Sequence, residues 1–194
     1  MDKIIYTDRL ILRQFTKDDI KAIFDIQKDK EVNTYLPWYP LKTLEEAEKF
    51  FYEKYENEYK NNNLYKYAIC LKEDNIPIGY LGVASNESYD LGYGLKKEFW
   101  HRGIVTEAVK AFIEMIKKEN IPYITATHDI KNARSGGVMK NVGMKYCYTY
   151  KEMWQPKNIL VTFRMYQLNF DNNKDRVYKE YWDKYPEHFI EKDV

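Results

Sequence analysis

Asp90-Leu91-Gly92-Tyr93-Gly94-Leu95-Lys96-Lys97-Glu98-Phe99-Trp100-His101-Arg102-Gly103-Ile104-Val105-Thr106-Glu107-Ala108 carries the chain from a strand into a helix through one short turn. The helix is predicted over 106–118. Val109, Phe112, Ile113 and Ile116 share one face, Glu107 sits at the positive end, Lys117 and Lys118 at the negative end, and Asn120 and Pro122 close it. A strand over 123–129 completes a strand–helix–strand unit, which chain handedness makes parallel and right-handed. The turn between strand and helix delivers backbone N–H groups to a helix N-terminus, a natural seat for an anion, and Gly103 lets a phosphate come close. It lacks the glycine-rich fingerprint of dinucleotide folds and the Gly-Lys-Ser/Thr of nucleotide triphosphate loops, so neither ligand is expected.

Upstream, residues 4–15 read as a strand with alternating Leu10, Ile11, Leu12 and Arg13. A helix follows, with Thr16 as N-cap, Phe15 and Ile20 as a hydrophobic staple, and Ile20, Ile23 and Phe24 as the buried stripe. Thr43-Leu44-Glu45-Glu46 is a capping box opening a second helix, which carries Ala47, Phe50, Phe51, Tyr55 and Tyr59 to an end near Asn61-Asn62-Asn63. The segment between these helices, Tyr35-Leu36-Pro37-Trp38-Tyr39-Pro40, is too rich in proline for regular structure. Its rings either cap the core or form one wall of a ligand pocket. Strands at 67–71, 76–84 and 90–95 form an antiparallel meander. Beyond 129 come a short helix over 133–142 ending at Gly143, two strands at 144–150 and 160–168, and a basic, aromatic tail over 171–194 expected to add a helix.

These elements predict a mixed α/β fold: one mostly antiparallel, partly parallel sheet of about seven strands flanked by helices. Residues 1–170 form the main domain, with 171–194 packed on it. Thr7-Asp8-Arg9-Leu10-Ile11-Leu12-Arg13, the segments 90–95 and 99–108, Asn132-Ala133-Arg134-Ser135 and the stretch 138–144 together resemble the successive motifs of the GNAT superfamily of N-acetyltransferases. The branch they look most like includes the ribosomal-protein N-terminal acetyltransferases. The resemblance covers residues 6–168. It departs from the family pattern at Trp100, where glutamine or arginine is usual, and at Val105, where glycine or alanine is.

The resemblance implies acetyl-CoA as co-substrate. The backbone of Trp100, His101, Arg102, Gly103, Ile104, Val105 and Thr106 would hold the pyrophosphate, Leu95 would pair with the pantetheine arm, and Asn132 would bond that arm from the facing side. It also implies direct attack of an amine on the thioester in a ternary complex, with Ser135 near the sulfur. Ser135 alternatively serves as a helix N-cap. Asp90, Glu87 and His128 are candidates to take the amine's proton, against the plainer roles of surface solvation or strand-end hydrogen bonding. Tyr35 and Trp38 are candidates for the acceptor wall. A non-catalytic acyl-CoA-binding sensor of the same fold is the competing reading.

Composition narrows the partners. Thirty-one Lys and Arg against 30 Asp and Glu leave a net charge of +1, so nothing in the summed field draws the chain to nucleic acid or an anionic membrane. Many of the 19 tyrosines alternate with lysine and glutamate along the predicted helices, as rings that cover core and hydroxyls that reach water. No apolar run approaches the length of a membrane span, and the N-terminus has no signal-peptide pattern. Cys70 and Cys147 lie in apolar or aromatic runs, as reduced core cysteines do, which gives a cytoplasmic expectation. No ligand spacing calls for a metal, and neither cysteine lies in a motif that would make it a nucleophile. The acceptor is expected to be a peptide or small-molecule amine, with oligomeric state left open.

Overall fold

A computed structural model describes residues 4–61 and 65–194. The opening strand is broken in two, β1 (Ile5–Tyr6) and β2 (Leu10–Arg13), because Thr7 and Arg9 turn away to bond Glu107. A 3-10 turn at Lys17–Asp19 leads into α1 (Ile20–Gln27), and the Asp19 carboxylate reaches back to the Thr16 N–H at 2.8 Å. The second helical rod is α2 (Leu44–Phe51), a π-helical turn (Tyr52–Glu56) and α3 (Asn57–Lys60). Thr43 caps it by accepting from the Glu46 N–H, while the Glu46 carboxylate returns to Lys42 rather than to the cap residue itself. Asn62 and Asn63, near its expected end, lie outside the described residues.

The meander is β3 (Lys66–Leu71), β4 (Pro77–Val83) and β5 (Leu91–Leu95), which with β1 and β2 makes an antiparallel sheet in chain order. After α4 (Ile104–Ile116) comes β6 (Tyr123–Asp129), then α5 (Ala133–Asn141), and the long hairpin β7 (Lys145–Trp154) and β8 (Ile159–Asn169). The tail adds α6 (Glu180–Lys184) and β9 (His188–Phe189), which pairs with β7 to give a second sheet in the order β6-β8-β7-β9. The class is as expected. Among the described residues the strands number nine, because the opening strand divides and the tail, beyond its expected helix, ends in a strand of its own.

Between the sheets stands α4. Ala108, Val109, Phe112, Ile113 and Ile116 are buried against residues of both, among them Leu12, Ile69, Leu81, Ile124 and Tyr166. Each large side chain removed from water here is worth about 1.5–3 kcal/mol. That burial holds the helix, and so the turn that opens it, in a fixed place. The tail covers the other side of the second sheet: Tyr178, Tyr181, Trp182 and Tyr185 pack on a cluster of Tyr148, Tyr150, Val161, Phe163 and Met165.

Candidate active site

The parallel strands β5 and β6 meet at a single bridge, Asp90 to Thr125, and diverge beyond it. Between them opens a cleft of about 670 Å³. The β4–β5 register explains what the cleft edge offers. The Lys96 N–H donates to the Ile78 carbonyl and the Ala84 N–H to the Asp90 carbonyl, so the even-numbered residues of β5 face β4. Tyr93 and Leu95 therefore aim their N–H and C=O groups into the cleft. The Leu95 carbonyl is already taken by the Trp100 indole N–H at 2.9 Å, leaving the Leu95 N–H and both groups of Tyr93 for an incoming chain.

At one end of the cleft lies the turn before α4. Ile104 is buried and anchors it, while His101, Arg102 and Gly103 are exposed. Gly103 has φ +71° and His101 φ +61°, a left-handed pair that swings the first-turn amides of Ile104, Val105 and Thr106 outward with no partner inside the helix. The nearest atom to a Cβ added at Gly103 would be an Arg9 guanidinium nitrogen at 3.8 Å, so the approach is open. The Arg9 guanidinium also donates to the Arg102 carbonyl at 3.0 Å and to the Glu107 carboxylate at 2.7 Å, tying β2 to the turn. Trp100, the departure from the family pattern, holds the end of β5 by its indole and carries the Arg134 guanidinium over its ring at 4.1 Å.

Across the cleft, Asn132 caps α5 by accepting from the Ser135 N–H at 3.3 Å. The cap is Asn132, and Ser135, the third residue of the helix, supplies the N–H that the Asn132 side chain accepts. The Ser135 hydroxyl is 3.0 Å from that of Tyr93, which also donates to the Ser135 carbonyl at 2.8 Å. Burial pushes the Tyr93 phenol up, so it stays protonated. Asp90 sits at the seam, with the Thr125 hydroxyl 3.1 Å from its carboxylate and Tyr93, Tyr150 and Tyr181 within electrostatic reach. Desolvation raises its pKa to about 6. His128 is buried. Its Nδ1 lies 2.8 Å from the Asp129 carbonyl, its Nε2 lies beneath Gly136, and burial depresses its pKa. Glu87 is exposed and outside the cleft lining.

Opposite the turn, the 35–40 loop forms the second wall. The Trp38 indole donates to Gln27 at 3.0 Å, and the Tyr35 hydroxyl crosses to the Lys131 carbonyl at 3.2 Å. The Tyr39 hydroxyl meets the Pro156 carbonyl at 3.4 Å and the Lys157 ammonium the Asn33 carbonyl at 2.8 Å, so the loop is fastened to the β7–β8 hairpin. Trp154 and Phe163 of that hairpin complete the wall. All the proposed coenzyme and acceptor residues thus line one cleft, with Asp90 and Ser135. The sequence does not assign a role to the Tyr93 side chain, to Arg134 or to the Arg9–Glu107 tie, although all four residues lie in the segments that carry the family resemblance.

Residues 9–145 match the family described as the acetyltransferase (GNAT) domain. The chain belongs to the GNAT acetyltransferases. It is an acetyl-CoA-dependent enzyme of that family, and the splayed β5–β6 edge with the α4 turn fits the co-substrate's shape and charge. Among curated GNAT relatives, an uncharacterized N-acetyltransferase of Bacillus subtilis, YnaD, is 29% identical over 145 residues, 73% of this chain and 82% of its own length. A GNAT-family acetyltransferase from Bacillus anthracis superposes with TM-score 0.74 at 23% identity, covering 87% of this chain and 99% of that one. RimL, the ribosomal L7/L12 alpha-N-protein acetyltransferase, in complex with coenzyme A, superposes with TM-score 0.73 at 19% identity, covering 86% and 98%.

Proposed function

We propose that the enzyme acetylates an amine by direct attack on the thioester, with Asp90 receiving the amine's proton and the Ser135 hydroxyl serving the departing sulfur. The observation that carries this reading is the placement of Asp90 and Ser135 in the cleft that the α4 turn opens. Bound acetyl-CoA supplies the electrophilic carbonyl carbon. The first-turn amides from Ile104 to Thr106 and the Arg134 guanidinium face its pyrophosphate; Asn132 keeps an amide N–H₂ free for the pantetheine arm. The Leu95 N–H, unpaired at the cleft edge, is positioned to donate to the carbonyl oxygen as charge develops there. The new N–C bond forms as the C–S bond breaks; the amine's proton goes to the Asp90 carboxylate and the thiolate is met by the Ser135 O–H.

The acceptor's own basicity matters. Freeing an α-amino group of pKa near 8 costs about 1.4 kcal/mol at pH 7, against about 4.6 for a lysine-like amine. A carboxylate poised near 6 suffices for the first and is a poor base for the second, which favours an α-amine, on a peptide or a small molecule. Free Cys70 and Cys147, one of them buried, fit a reducing, cytoplasmic setting. Among the described residues no helix is long and apolar enough to cross a membrane. Thiol release from acetyl-CoA across a panel of amines tests the proposal. Amine-dependent release is expected; coenzyme binding without such release would favour a sensor of the same fold.

A further inference from the structure

The cleft's two ends differ in chemistry. Its coenzyme end carries Arg102 and Arg134, whereas the wall made by Trp38, Trp154 and Phe163 is aromatic. Phe163 is buried and meets the Trp154 ring at 4.9 Å and the Tyr150 ring at 5.5 Å. Ile159 stands directly opposite Trp154 in the hairpin register, on the same face of the sheet, and is 43% exposed. Phe163 and Trp154 thus put an apolar face on the cleft that also holds Asp90, and Ile159 continues that face beyond the lining. Trp38 faces it across the cleft, held in place by Gln27.

Glu152, on the same face between Tyr150 and Trp154, is hydrogen-bonded to Tyr185 and lies outside the cleft lining. Three carboxylates line the cleft among the described residues: Glu31 pairs with Lys97, Asp129 accepts the Lys131 N–H, and Asp90 has neither a cation nor a backbone N–H. The Lys157 ammonium, half-buried against the Asn33 carbonyl, is spent on the bridge between the hairpin and the segment before the 35–40 loop. With the amine nitrogen at Asp90, a second cation on the acceptor would find each remaining acid of the lining already holding a partner.

We infer that the acceptor is a singly charged amine carried on an apolar body, seated between Trp38 and the Phe163–Trp154–Ile159 face with its nitrogen at Asp90. This rests on the acetyl-transfer reading only for the bond that forms. Polyamines and aminoglycosides, with several cations each, do not fit the wall. An apolar body contributes by leaving water, and the aromatic rings add a favourable face to the single ammonium before it is deprotonated.

Three α-amines separate the terms: phenylalaninamide, glycinamide without the apolar body, and lysinamide with a second cation. Phenylalaninamide is expected to show kcat/KM roughly 10-fold or more above each of the others, a preference that burying one aromatic side chain supplies. Trp154→Ala should shrink that preference while leaving the KM for acetyl-CoA near normal. Binding of the three amides to the coenzyme A complex is measured in parallel by calorimetry. Tighter binding of phenylalaninamide without turnover would uphold the acceptor class and overturn acetyl transfer. Lysinamide or glycinamide equal to or better than phenylalaninamide, in turnover or in binding, would overturn the acceptor class and leave transfer standing.

Discussion

The Tyr93 hydroxyl lies 2.8 Å from the carbonyl oxygen of Ser135 and 3.0 Å from its hydroxyl oxygen, so one phenol touches both polar groups of the same residue across the cleft. Tyr93 can donate only once. With its proton on the carbonyl, its lone pairs accept from the Ser135 O–H, and that serine proton reaches a sulfur only by leaving Tyr93.

Ser135→Ala should therefore lower kcat by about 10- to 150-fold with little change in acetyl-CoA binding, the signature of a contact made chiefly in the transition state. Melting temperature should hardly move, because the cap of α5 is Asn132. Asn132→Ala is expected to cost about 1 kcal/mol of stability in addition to weaker acetyl-CoA binding. Unfolding curves and steady-state kinetics on the same preparations check both; normal turnover in Ser135→Ala would remove the serine from the mechanism.

Asp90 predicts opposite pH trends for activity and stability. Its carboxyl titrates near 6 in the folded chain against 3.8 for an ordinary aspartate. Between those values the folded state holds the extra proton, so stability is fully present below the lower pKa and declines as pH rises through the upper one. Ionised Asp90 then costs on the order of 2–3 kcal/mol above pH 6. Asp90→Asn should unfold later than the parent at pH 7.5 and at much the same temperature at pH 4, while losing activity. In the parent, kcat/KM should fall as pH drops through about 6, and a profile flat down to pH 5 would exclude Asp90 as base.

Gly103 is constrained by its backbone rather than by crowding, since a Cβ would meet only an Arg9 nitrogen at 3.8 Å while φ stands at +71°. A β-branched residue there costs about 1–2 kcal/mol in the left-handed region, and asparagine considerably less. Gly103→Val should raise the Kd for coenzyme A several-fold more than Gly103→Asn does. Equal effects would mean that phosphate approach, not the turn's conformation, sets the affinity.

Trp38→Ala should raise the acceptor's KM by about 10-fold, as expected for one lost aromatic wall, and leave that of acetyl-CoA almost unchanged. The Gln27 side chain loses its indole partner in this variant, so Trp38→Phe serves as the companion that keeps a ring while losing the same bond. Equal increases in both KM values would assign Trp38 to the core.

Periodicity and punctuation made much of this legible in the sequence. The 106–118 helix, its N-terminal turn and the meander follow from alternation and capping, signals that act between near neighbours. What the sequence did not reveal depends on distant pairs. Arg9 breaks the opening strand because its partner, Glu107, is 98 residues away. Asp90 is ordinary in sequence and becomes a desolvated carboxyl only where two sheets part beside Tyr150 and Tyr181. Tyr93 read as a strand residue, and only the placement of α5 turns its hydroxyl to Ser135. The tail's closing strand has two residues, too few for any alternation to register.

The seam at Asp90 joins parts of different standing. The α4 turn, β5 and Asn132 fall within the 9–145 match to the family, whereas Tyr150, Trp154, Phe163 and Tyr181 lie beyond it. A fragment cut at the end of that match would lose β8, the strand partner of β6, and Tyr166 from the core around α4, as well as one flank of the acceptor wall and the aromatic cover over Asp90. Conversely, substitutions confined to the hairpin and tail can retune which acceptor is taken while the coenzyme cradle stays untouched. The last fifty or so residues are thus the natural target for a library aimed at new substrates, and an affinity tag belongs at the other terminus.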